Sequence, residues 1–336
     1  MIESSAPARI DFAGGTLDIW PLYLYFGSPP TLNAAIDCYA TARLSPTPGS
    51  KAIILESRDL GVKERFSSLK ALPEGKHPLS LLIKTVRFYR PKEGGSLVTS
   101  CQAPPGSGIG GSSALNIALH GAMKAWTGKK MSRPALLTVA KNIETQVIEA
   151  PTGWQDYFPA LYGGALAVLP GLETVDYSRI PVDTDEMTRR FVLCYTGEPR
   201  RSAINNWEVM KDALDGKKSV AAKLESLQKI AKKMEPLLRK GNWNGLASAL
   251  EEEWIARKSL APNIATAEMK KLIKSAKSKG ALAAKVCGAG GGGCVAFMVP
   301  PDSKSAVSDA LQAKGGKVLP FRFVKRGLQV KVKRNR

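Results

Sequence analysis

The sequence predicts an α+β protein of two domains, and three observations lead to this prediction. Predicted strands and helices are grouped in blocks, whereas a doubly wound parallel sheet needs strict alternation. The chain has 336 residues, enough for two ordinary domains, and 44% of them are hydrophobic. The composition changes at an acidic, proline-containing stretch near residues 181–188. We therefore predict an N-terminal domain at residues 1–186, a C-terminal domain at 187–325 and a basic tail at 326–336.

The N-terminal domain is predicted to begin with strands, because short β-branched and apolar runs alternate with Gly/Pro turns. These runs cover residues 8–12, 31–45, 52–57 and 96–103. Apolar residues at helical spacing predict a short helix at Ser80–Tyr89, packed on the sheet. Two longer helices follow at 112–126 and 133–149, and a further strand at 163–169.

The C-terminal domain is predicted to contain more helix than strand. Its predicted helices cover residues 205–214, 217–240, 243–259, 264–279 and 302–314. Its predicted strands cover residues 190–195, 283–287, 294–299 and 317–322. The basic end of the chain, Lys331–Arg336, is interpreted as a frayed terminus.

The formal net charge is +20, a balance that suits nucleic acid, an anionic membrane surface or a phosphorylated substrate. Many of the cations lie in residues 211–240 and 270–285, among apolar residues at helical spacing. That pattern favours solvated helix faces. The sequence also lacks an aromatic-rich nucleic-acid motif and a zinc finger, so we do not expect a nucleic-acid partner. A phosphorylated small-molecule substrate fits the charge.

The sequence also bears on location. It contains no long apolar run of the length that spans a membrane, and its first residues resemble no secretion signal. We expect a soluble, cytoplasmic protein without a membrane partner, and the oligomeric state is left open. The cysteines lack the spacing of disulfide scaffolds or zinc sites, which predicts reduced thiols. They are Cys38, Cys101, Cys194, Cys287 and Cys294.

A loop rich in glycine and serine precedes the helix predicted at 112–126. It reads Pro104-Pro105-Gly106-Ser107-Gly108-Ile109-Gly110-Gly111-Ser112-Ser113-Ala114. Glycines let a backbone approach an anion closely, and a helix N-terminus offers unpaired N–H groups to it. The loop lacks the Lys-Ser/Thr pair of a Walker A motif and the distant acid of a dinucleotide fingerprint. It predicts a phosphate site, with a turn that only caps the helix as the alternative.

A second glycine cluster lies between two predicted apolar strands. It reads Gly288-Ala289-Gly290-Gly291-Gly292-Gly293. Such a run loses backbone entropy on folding, a loss that close approach to a ligand or to another backbone explains. Together with the first loop, it predicts two backbone walls that meet at one substrate.

Phosphoryl transfer also needs a cation near the phosphates and a group that accepts the proton of the attacking hydroxyl. Glu144, on the helix after the glycine loop, and Asp156, in a predicted turn, are the candidates. An acid in a turn is often only a helix cap, which is the alternative for Asp156. Capping is an equally good explanation for Asp11 and Asp18, which flank a Gly-Gly pair.

The glycine motifs, in this order and at these separations, resemble those of the GHMP kinase superfamily of galactokinase, homoserine kinase, mevalonate kinase and phosphomevalonate kinase. The first loop is similar to the family motif Pro-x-x-x-Gly-Leu-Gly-Ser-Ser-Ala, with Ile109 for Leu and Gly111 as an additional glycine. The second resembles the family motif Gly-Ala-Gly-Gly-Gly-Gly-Cys. The resemblance implies an ATP-dependent kinase with an N-terminal ribosomal protein S5 domain 2-like domain and a C-terminal ferredoxin-like α/β domain.

The resemblance also implies roles for individual residues. Residues Pro105 to Ser113 would wrap the phosphates of ATP, and Ser113 or Ser112 would hold Mg²⁺ together with Glu144. Glu149 is a second candidate for that ligand. Asp156 would be the base for the substrate hydroxyl, and Arg9 would orient it or stabilise the transferring charge. A surface arginine beside a strand is the alternative for Arg9.

A further glycine motif lies nearest the N-terminus and reads Arg9-Ile10-Asp11-Phe12-Ala13-Gly14-Gly15-Thr16-Leu17-Asp18. It departs from the Gly-Glu-His of galactokinase and mevalonate kinase. With Gly153-Trp154-Gln155-Asp156 it resembles the branch of heptose 7-phosphate kinases, which implies a sugar or sugar phosphate as acceptor. The residues then expected at the substrate are Gly14, Gly15, Thr16, Asp18, Gly288, Ala289, Gly290 and Gly291. The alternatives are a mevalonate- or homoserine-type kinase, and a non-catalytic binding protein on the same scaffold.

Overall fold

The computed structural model describes residues 1–200 and 203–333, which form two β-sheets with helices packed on them. The strands are β1 (Ile2–Ala13), β2 (Thr31–Thr47), β3 (Ile53–Ser57), β4 (Val62–Phe66), β5 (Gly94–Cys101), β6 (Ala165–Pro170), β7 (Val175–Ile180), β8 (Phe191–Tyr195), β9 (Ala283–Val286), β10 (Cys294–Met298), β11 (Lys317–Leu319) and β12 (Gln329–Val332). The α+β prediction is confirmed.

The helices are α1 (Leu22–Tyr25), α2 (Ser80–Tyr89), α3 (Gly111–Thr127), α4 (Arg133–Ile148), α5 (Tyr157–Tyr162), α6 (Thr184–Arg190), α7 (Ala203–Leu214), α8 (Lys218–Arg239), α9 (Trp243–Lys258), α10 (Ala267–Lys277) and α11 (Lys304–Ala313). Short 3₁₀ turns lie at Leu69–Ala71 and Pro301–Ser303. Within the described ranges, no helix combines the length and the apolar character needed to cross a membrane.

The first sheet has the strand order β12-β1-β2-β5-β3-β4, and β6 and β7 extend it from the other part of β2. The long strand β2 makes this possible, because its residues 31–34 pair with β6 while residues 40–47 pair with β5. Helix α3 packs on β1 and β2. Its small or apolar side chains at Ala118, Leu119 and Ala122 are fully buried, so the helix lies close to the sheet.

The second sheet is antiparallel with the order β11-β8-β10-β9. One apolar cluster joins it to the first sheet and to α8 and α9. In this cluster the ring of Phe12 lies 5.6 Å from that of Phe191, centroid to centroid, and 6.3 Å from that of Phe323. Because β1 and β8 share this core, apolar side chains pack the two sheets together.

The helix predicted at Ser80–Tyr89 has the observed bounds, and the longer helices agree to within a few residues. The short elements were missed. Strand β4 is half exposed along its length and strongly charged, so it lacks an apolar alternation. Helix α5 is six residues long, contains a proline and is buried on all sides, so no amphipathic period marks it. The acidic stretch at 181–188 includes most of α6, which begins at an Asp183 cap.

The frayed-terminus interpretation is wrong for the described part of the basic tail. Strand β12 pairs with β1, with Ile2 opposite Val332, and the N–H of Lys333 donates to the carbonyl of Met1. The end of the chain therefore completes the first sheet. Residues 334–336 of the predicted tail lie outside the described residues. The boundary between residues 186 and 187 stays our proposal.

A steric prediction follows from Gly163, which ends α5 at a φ of 67°. A Cβ atom there would lie 2.3 Å from the backbone carbon of Arg326. Gly128 has a φ of 66° but open space around it, so it is a matched control. We expect Gly128→Ala to cost about 1–2 kcal/mol of unfolding free energy through its backbone alone. Gly163→Ala should cost about 1–3 kcal/mol more, because of overpacking. Urea unfolding measures both, and equal losses would contradict the packing described.

Candidate active site

The phosphate loop connects β5 to α3 and is shaped by its glycines. Gly108 has a φ of 78°, and a Cβ atom there would lie 2.5 Å from the carbonyl oxygen of Cys287. Gly110 has a φ of 76° and precedes the first turn of α3. The N–H groups of that turn have no partner within the helix, and the helix dipole adds positive potential there. The loop is therefore suited to bind an anion.

The second glycine loop connects β9 to β10 and packs directly against the first. The N–H of Cys294 donates to the carbonyl of Ser107 at 2.7 Å. The N–H of Gly288 donates to Asp11 Oδ1 at 2.8 Å. The middle of the loop turns elsewhere, because Gly291 donates its N–H to the carbonyl of Ile264. The two glycine loops thus meet, as the sequence predicted, and both the start and the end of the second loop contact groups beside the phosphate loop.

Two cavities open where the loops meet. The smaller, of about 310 Å³, is lined by the phosphate loop and by apolar side chains such as Leu81. The larger, of about 500 Å³, is lined by polar groups that include Thr152, Gln155 and Asn206, and by Ala289. Both cavities are lined by the same five residues, which we call the junction. The junction consists of Ser112, Ser113, Glu144, Asp156 and Arg200.

Arg9 and Asp156 form an ion pair at the junction. Arg9 Nε donates to Asp156 Oδ1 at 2.7 Å, and Arg9 NH1 donates to the carbonyl of Gly108 at the same distance. Arg9 is 1% exposed, so the surface-arginine alternative is wrong. Burial by itself would lower the pKa of Arg9, but attraction to Asp156 and Asp11 raises it above the usual value.

Asp156 keeps one side open to the cavities, and its carboxylate is 18% exposed. It stands at the N-cap position of α5 but makes no capping hydrogen bond there. The capping alternative therefore does not describe it. A Cβ atom on Gly110 would lie 3.3 Å from Asp156 Cγ, so the phosphate loop and the carboxylate are in direct contact. This contact places an acid beside the anion site.

Behind Arg9, a row of buried charges runs from the first sheet into the second domain. Asp11 Oδ1 lies 3.2 Å from Arg9 NH1, and Asp11 Oδ2 accepts a hydrogen bond from Lys285 Nζ at 2.5 Å. Lys285 lies 3.9 Å from Glu253, which accepts from Arg257 Nε at 2.7 Å. Burial would raise the pKa of Asp11, but Lys285 and Arg9 hold it well below its usual value. Together with Asp156, these residues form what we call the charge row.

Glu144 is buried at the junction beside two serine hydroxyls. Tyr157 Oη donates to Glu144 Oε2 at 2.7 Å. Burial raises the pKa of Glu144, while hydrogen bonds from Tyr157, Ser112 and Ser113 act in the opposite direction. Glu149, the second candidate, is exposed and pairs with Lys76 at 2.6 Å on the surface. Of these two acids, Glu144 is the one beside the phosphate loop.

The oxygen atoms at the junction suit a magnesium ion. One carboxylate and two hydroxyls are hard donors, and Mg²⁺ is usually held by one or two carboxylates plus phosphate oxygens and water. Within the part of the chain that the structure describes, no three His, Cys, Asp or Glu side chains come together as a metal cage. The fit is thus to an ion that shares its coordination with a phosphate ligand.

The Gly14–Asp18 segment lies behind the wall of the larger cavity. The carbonyl of Gly15 accepts a hydrogen bond from Arg257 NH2 at 3.0 Å. Thr16 Oγ1 donates to Asn206 Oδ1 at 3.0 Å. Asp18 is 1% exposed, and its Oδ2 accepts two backbone N–H groups of the loop that carries Asp156. The segment therefore contacts residues that form the wall of the larger cavity.

Arg200 was missed by the sequence analysis, which singled out no basic residue for a substrate phosphate. Its N–H donates to the carbonyl of Gly106, and its guanidinium lies against Gly288 at the start of the second glycine loop. A Cβ atom on Gly288 would lie 2.4 Å from Arg200 NH1. Among the described residues, no carboxylate lies within 4.0 Å of its guanidinium, unlike that of Arg9. Arg200 therefore presents unpaired positive charge to both cavities.

Comparison with known proteins agrees with this geometry. The chain matches the family model of the GHMP kinases N terminal domain over residues 80–164 and that of the GHMP kinases C terminal over residues 234–317. It is 29% identical to D-glycero-alpha-D-manno-heptose 7-phosphate kinase of Campylobacter jejuni and 26% identical to mevalonate kinase of Thermococcus onnurineus, each over 98% of both chains. The solved structure of a D-glycero-D-manno-heptose 1-phosphate kinase from Bacteriodes thetaiotaomicron has the same fold, with a TM-score of 0.80, 24% identity and full coverage of both chains.

The charge row generates a prediction about stability. Lys285→Met removes one buried cation and leaves Asp11 with less compensation. We expect a loss of about 3–5 kcal/mol of unfolding free energy, because an uncompensated buried charge is strongly destabilising. Lys271→Met is the control, since Lys271 is exposed and pairs with Glu268 on the surface of α10, and it should cost less than about 1 kcal/mol. Similar losses of unfolding free energy in the two variants, measured by urea unfolding, would show that the charge row does not stabilise the fold.

Proposed function

The chain belongs to the GHMP kinases, and we propose on this basis that it transfers the γ-phosphoryl group of ATP to a hydroxyl group of a sugar or sugar phosphate. The observation that supports this most directly is the junction, where an acid, a free arginine and a helix N-terminus line two adjoining cavities. A phosphoryl donor and an acceptor alcohol need such an arrangement, because their reacting atoms must meet in line.

In the proposed reaction, ATP lies in the smaller cavity with its phosphates along the phosphate loop. The N–H groups at the start of α3 and the guanidinium of Arg200 stabilise the charge on the transferring group. Asp156 accepts the proton of the attacking hydroxyl, while Arg9 keeps its carboxylate oriented. The bond formed is between the acceptor oxygen and the γ-phosphorus, and ADP leaves with the electron pair.

Magnesium is part of this proposal. Glu144 and Ser113, with Ser112 beside them, are the residues that would hold it. When bound, the ion supplies neutralisation of phosphate charge during transfer. The ionised form of Glu144 suits this role, and its burial makes a nearby cation favourable.

The acceptor is proposed from the lining of the larger cavity. Amide and hydroxyl groups of Gln155, Asn206 and Thr152 line it, and such groups fit the hydroxyls of a sugar better than an apolar chain. Arg200 adds a cation that can contact a phosphate. The heptose 7-phosphate kinase of Campylobacter jejuni, similar along 98% of both chains, makes a heptose phosphate the first acceptor to test.

A turnover screen with an Asp156→Asn variant tests the proposal. Wild-type protein with Mg²⁺ and ATP should release ADP in the presence of one member of a panel of heptose phosphates, fucose, galactose, glucuronate and mevalonate. Asp156→Asn keeps the shape but removes the base, so kcat should fall about 10²–10⁴-fold. Asp176→Asn, an exposed aspartate on β7, should keep full turnover. Full activity of Asp156→Asn would exclude Asp156 as the base.

A second prediction concerns Arg200. Arg200→Met removes the unpaired cation at the junction and should lower kcat about 10²–10³-fold, as expected for a donor aimed at developing charge. Arg322→Met, at an exposed arginine ahead of β12, is the control and should leave kcat unchanged. Steady-state kinetics on the accepted substrate measure both. If Arg200→Met changed only KM for the acceptor, Arg200 would bind the acceptor's phosphate and not the transferring group.

A further inference from the structure

We propose that Asp18 is a positioning residue. Its carboxylate accepts backbone N–H groups of the Gly153–Asp156 loop and fixes that loop, so the placement of Asp156 depends on the ionisation of Asp18. The kinetic part of this inference rests on the proposed function. From the sequence, Asp18 was expected at the substrate. The geometry points to a protein ligand for this carboxylate instead.

The contacts of Asp18 are short and local. Its Oδ2 accepts the N–H of Trp154 at 2.5 Å and the N–H of Gln155 at 2.8 Å. Gly153 permits this approach, because a Cβ atom there would lie 2.1 Å from Asp18 Oδ2. Two successive N–H groups bonded to one oxygen fix the direction of the peptide chain just before Asp156.

The other side of the same loop is held as well. Asn33 Nδ2, on β2, donates to the carbonyl of Gln155 at 3.1 Å. The peptide groups of Gln155 are thus held by Asp18 on one side and by Asn33 on the other. Only the Asp18 contacts involve a charged group, so only they change with protonation.

Asp18 is also poorly placed to contact a sugar. Its Oδ1 is buried and has no hydrogen-bond partner among the described residues. Asp18 is 1% exposed and is not among the residues that line the larger cavity. The carboxylate therefore holds the wall of the cavity, and the unpaired Oδ1 adds to the cost of keeping it ionised.

The ionisation of Asp18 responds to its surroundings. Burial and the nearby charge of Asp156 together raise the pKa of Asp18 to about 6, while the two backbone hydrogen bonds act in the opposite direction. Lys141 on α4 and Arg257 on α9 are the cations that face it. As the pH falls through about 6, Asp18 takes up a proton and its bonds to the loop lose their charge assistance. The loop should then hold Asp156 less firmly in acid.

An experiment without substrate tests the contact itself. In protein labelled with ¹⁵N-tryptophan, the backbone amide signal of Trp154 is identified by its loss in Trp154→Phe. We expect this signal to shift with a midpoint near pH 6 in the wild type and to lose that transition in Asp18→Asn, whose amide oxygen still accepts hydrogen bonds. Asp183→Asn removes a carboxylate that also accepts two N–H groups, at the start of α6, and should leave the transition unchanged. A transition that persists in Asp18→Asn would overturn the proposal.

A kinetic experiment separates positioning from sugar binding. With the acceptor that the wild type phosphorylates, Asp18→Asn should lower kcat about tenfold at pH 7.5, change the acceptor KM less than about twofold, and lose any fall in kcat centred near pH 6. A ligand of the sugar would instead raise KM strongly at unchanged kcat, which contradicts the proposal.

A second variant guards against misfolding of Asp18→Asn. Gly153→Ala pushes the loop away from the carboxylate without a forbidden backbone angle, and should reduce the Trp154 transition and kcat in the same way. An unchanged transition in this variant would also count against the proposal. If the wild type phosphorylates no acceptor in the panel, the proposed function fails, whereas the amide titration still decides the role of Asp18.

Discussion

The structure depends on a row of buried charges that alternate in sign from Asp156, the proposed base, to the second domain. Asp156, Arg9, Asp11 and Lys285 are each in contact with the next, and all but Asp156 are almost fully buried. Burying ions is costly, and only close partners offset that cost. Since Arg9 and Asp11 belong to β1 and Lys285 to β9, the pairing constrains how the two sheets meet.

The two glycine loops follow from that constraint. Once β1 and β9 are held together, the loops after β5 and β9 approach to within hydrogen-bonding distance, as between Cys294 and Ser107. Side chains have no room there, which explains the glycines at Gly108 and Gly288 better than flexibility does. The two cavities lie on either side of the junction, in the space that the packed glycine loops leave unfilled. A phosphoryl donor and an alcohol in these cavities would share the junction, with its two acids, Glu144 and Asp156, and with Arg200, which pairs with no carboxylate among the described residues. This sharing is the basis of the proposed kinase reaction.

Much of this could be predicted from the sequence, for identifiable reasons. Helix α2 and the phosphate loop have local signals, namely a helical period and glycines before a helix start. Asp156 was a candidate as an acid in a turn, whereas Arg9 was predicted by resemblance alone. Their ion pair joins a strand and a turn 147 positions apart, and no local pattern indicates it. Lys285 did leave a signal, as a lysine within an apolar strand. Arg200 had no local sequence signal, because its role depends on a contact with the second glycine loop, which is distant in the sequence. Asp18 was expected at the substrate, because its burial against the Gly153–Asp156 loop is a tertiary property that no local pattern shows.

The central claim is that this site transfers a phosphoryl group from ATP to a sugar hydroxyl. Phosphorus-31 NMR of the wild-type protein with Mg²⁺, ATP and a heptose phosphate follows the phosphorus atoms directly. We expect the γ-phosphate signal of ATP to decline while the signals of ADP and of a new phosphate ester grow in equal amounts. Growth of inorganic phosphate in place of the new ester, or no change in ATP with any sugar or sugar phosphate of the panel, would contradict the claim.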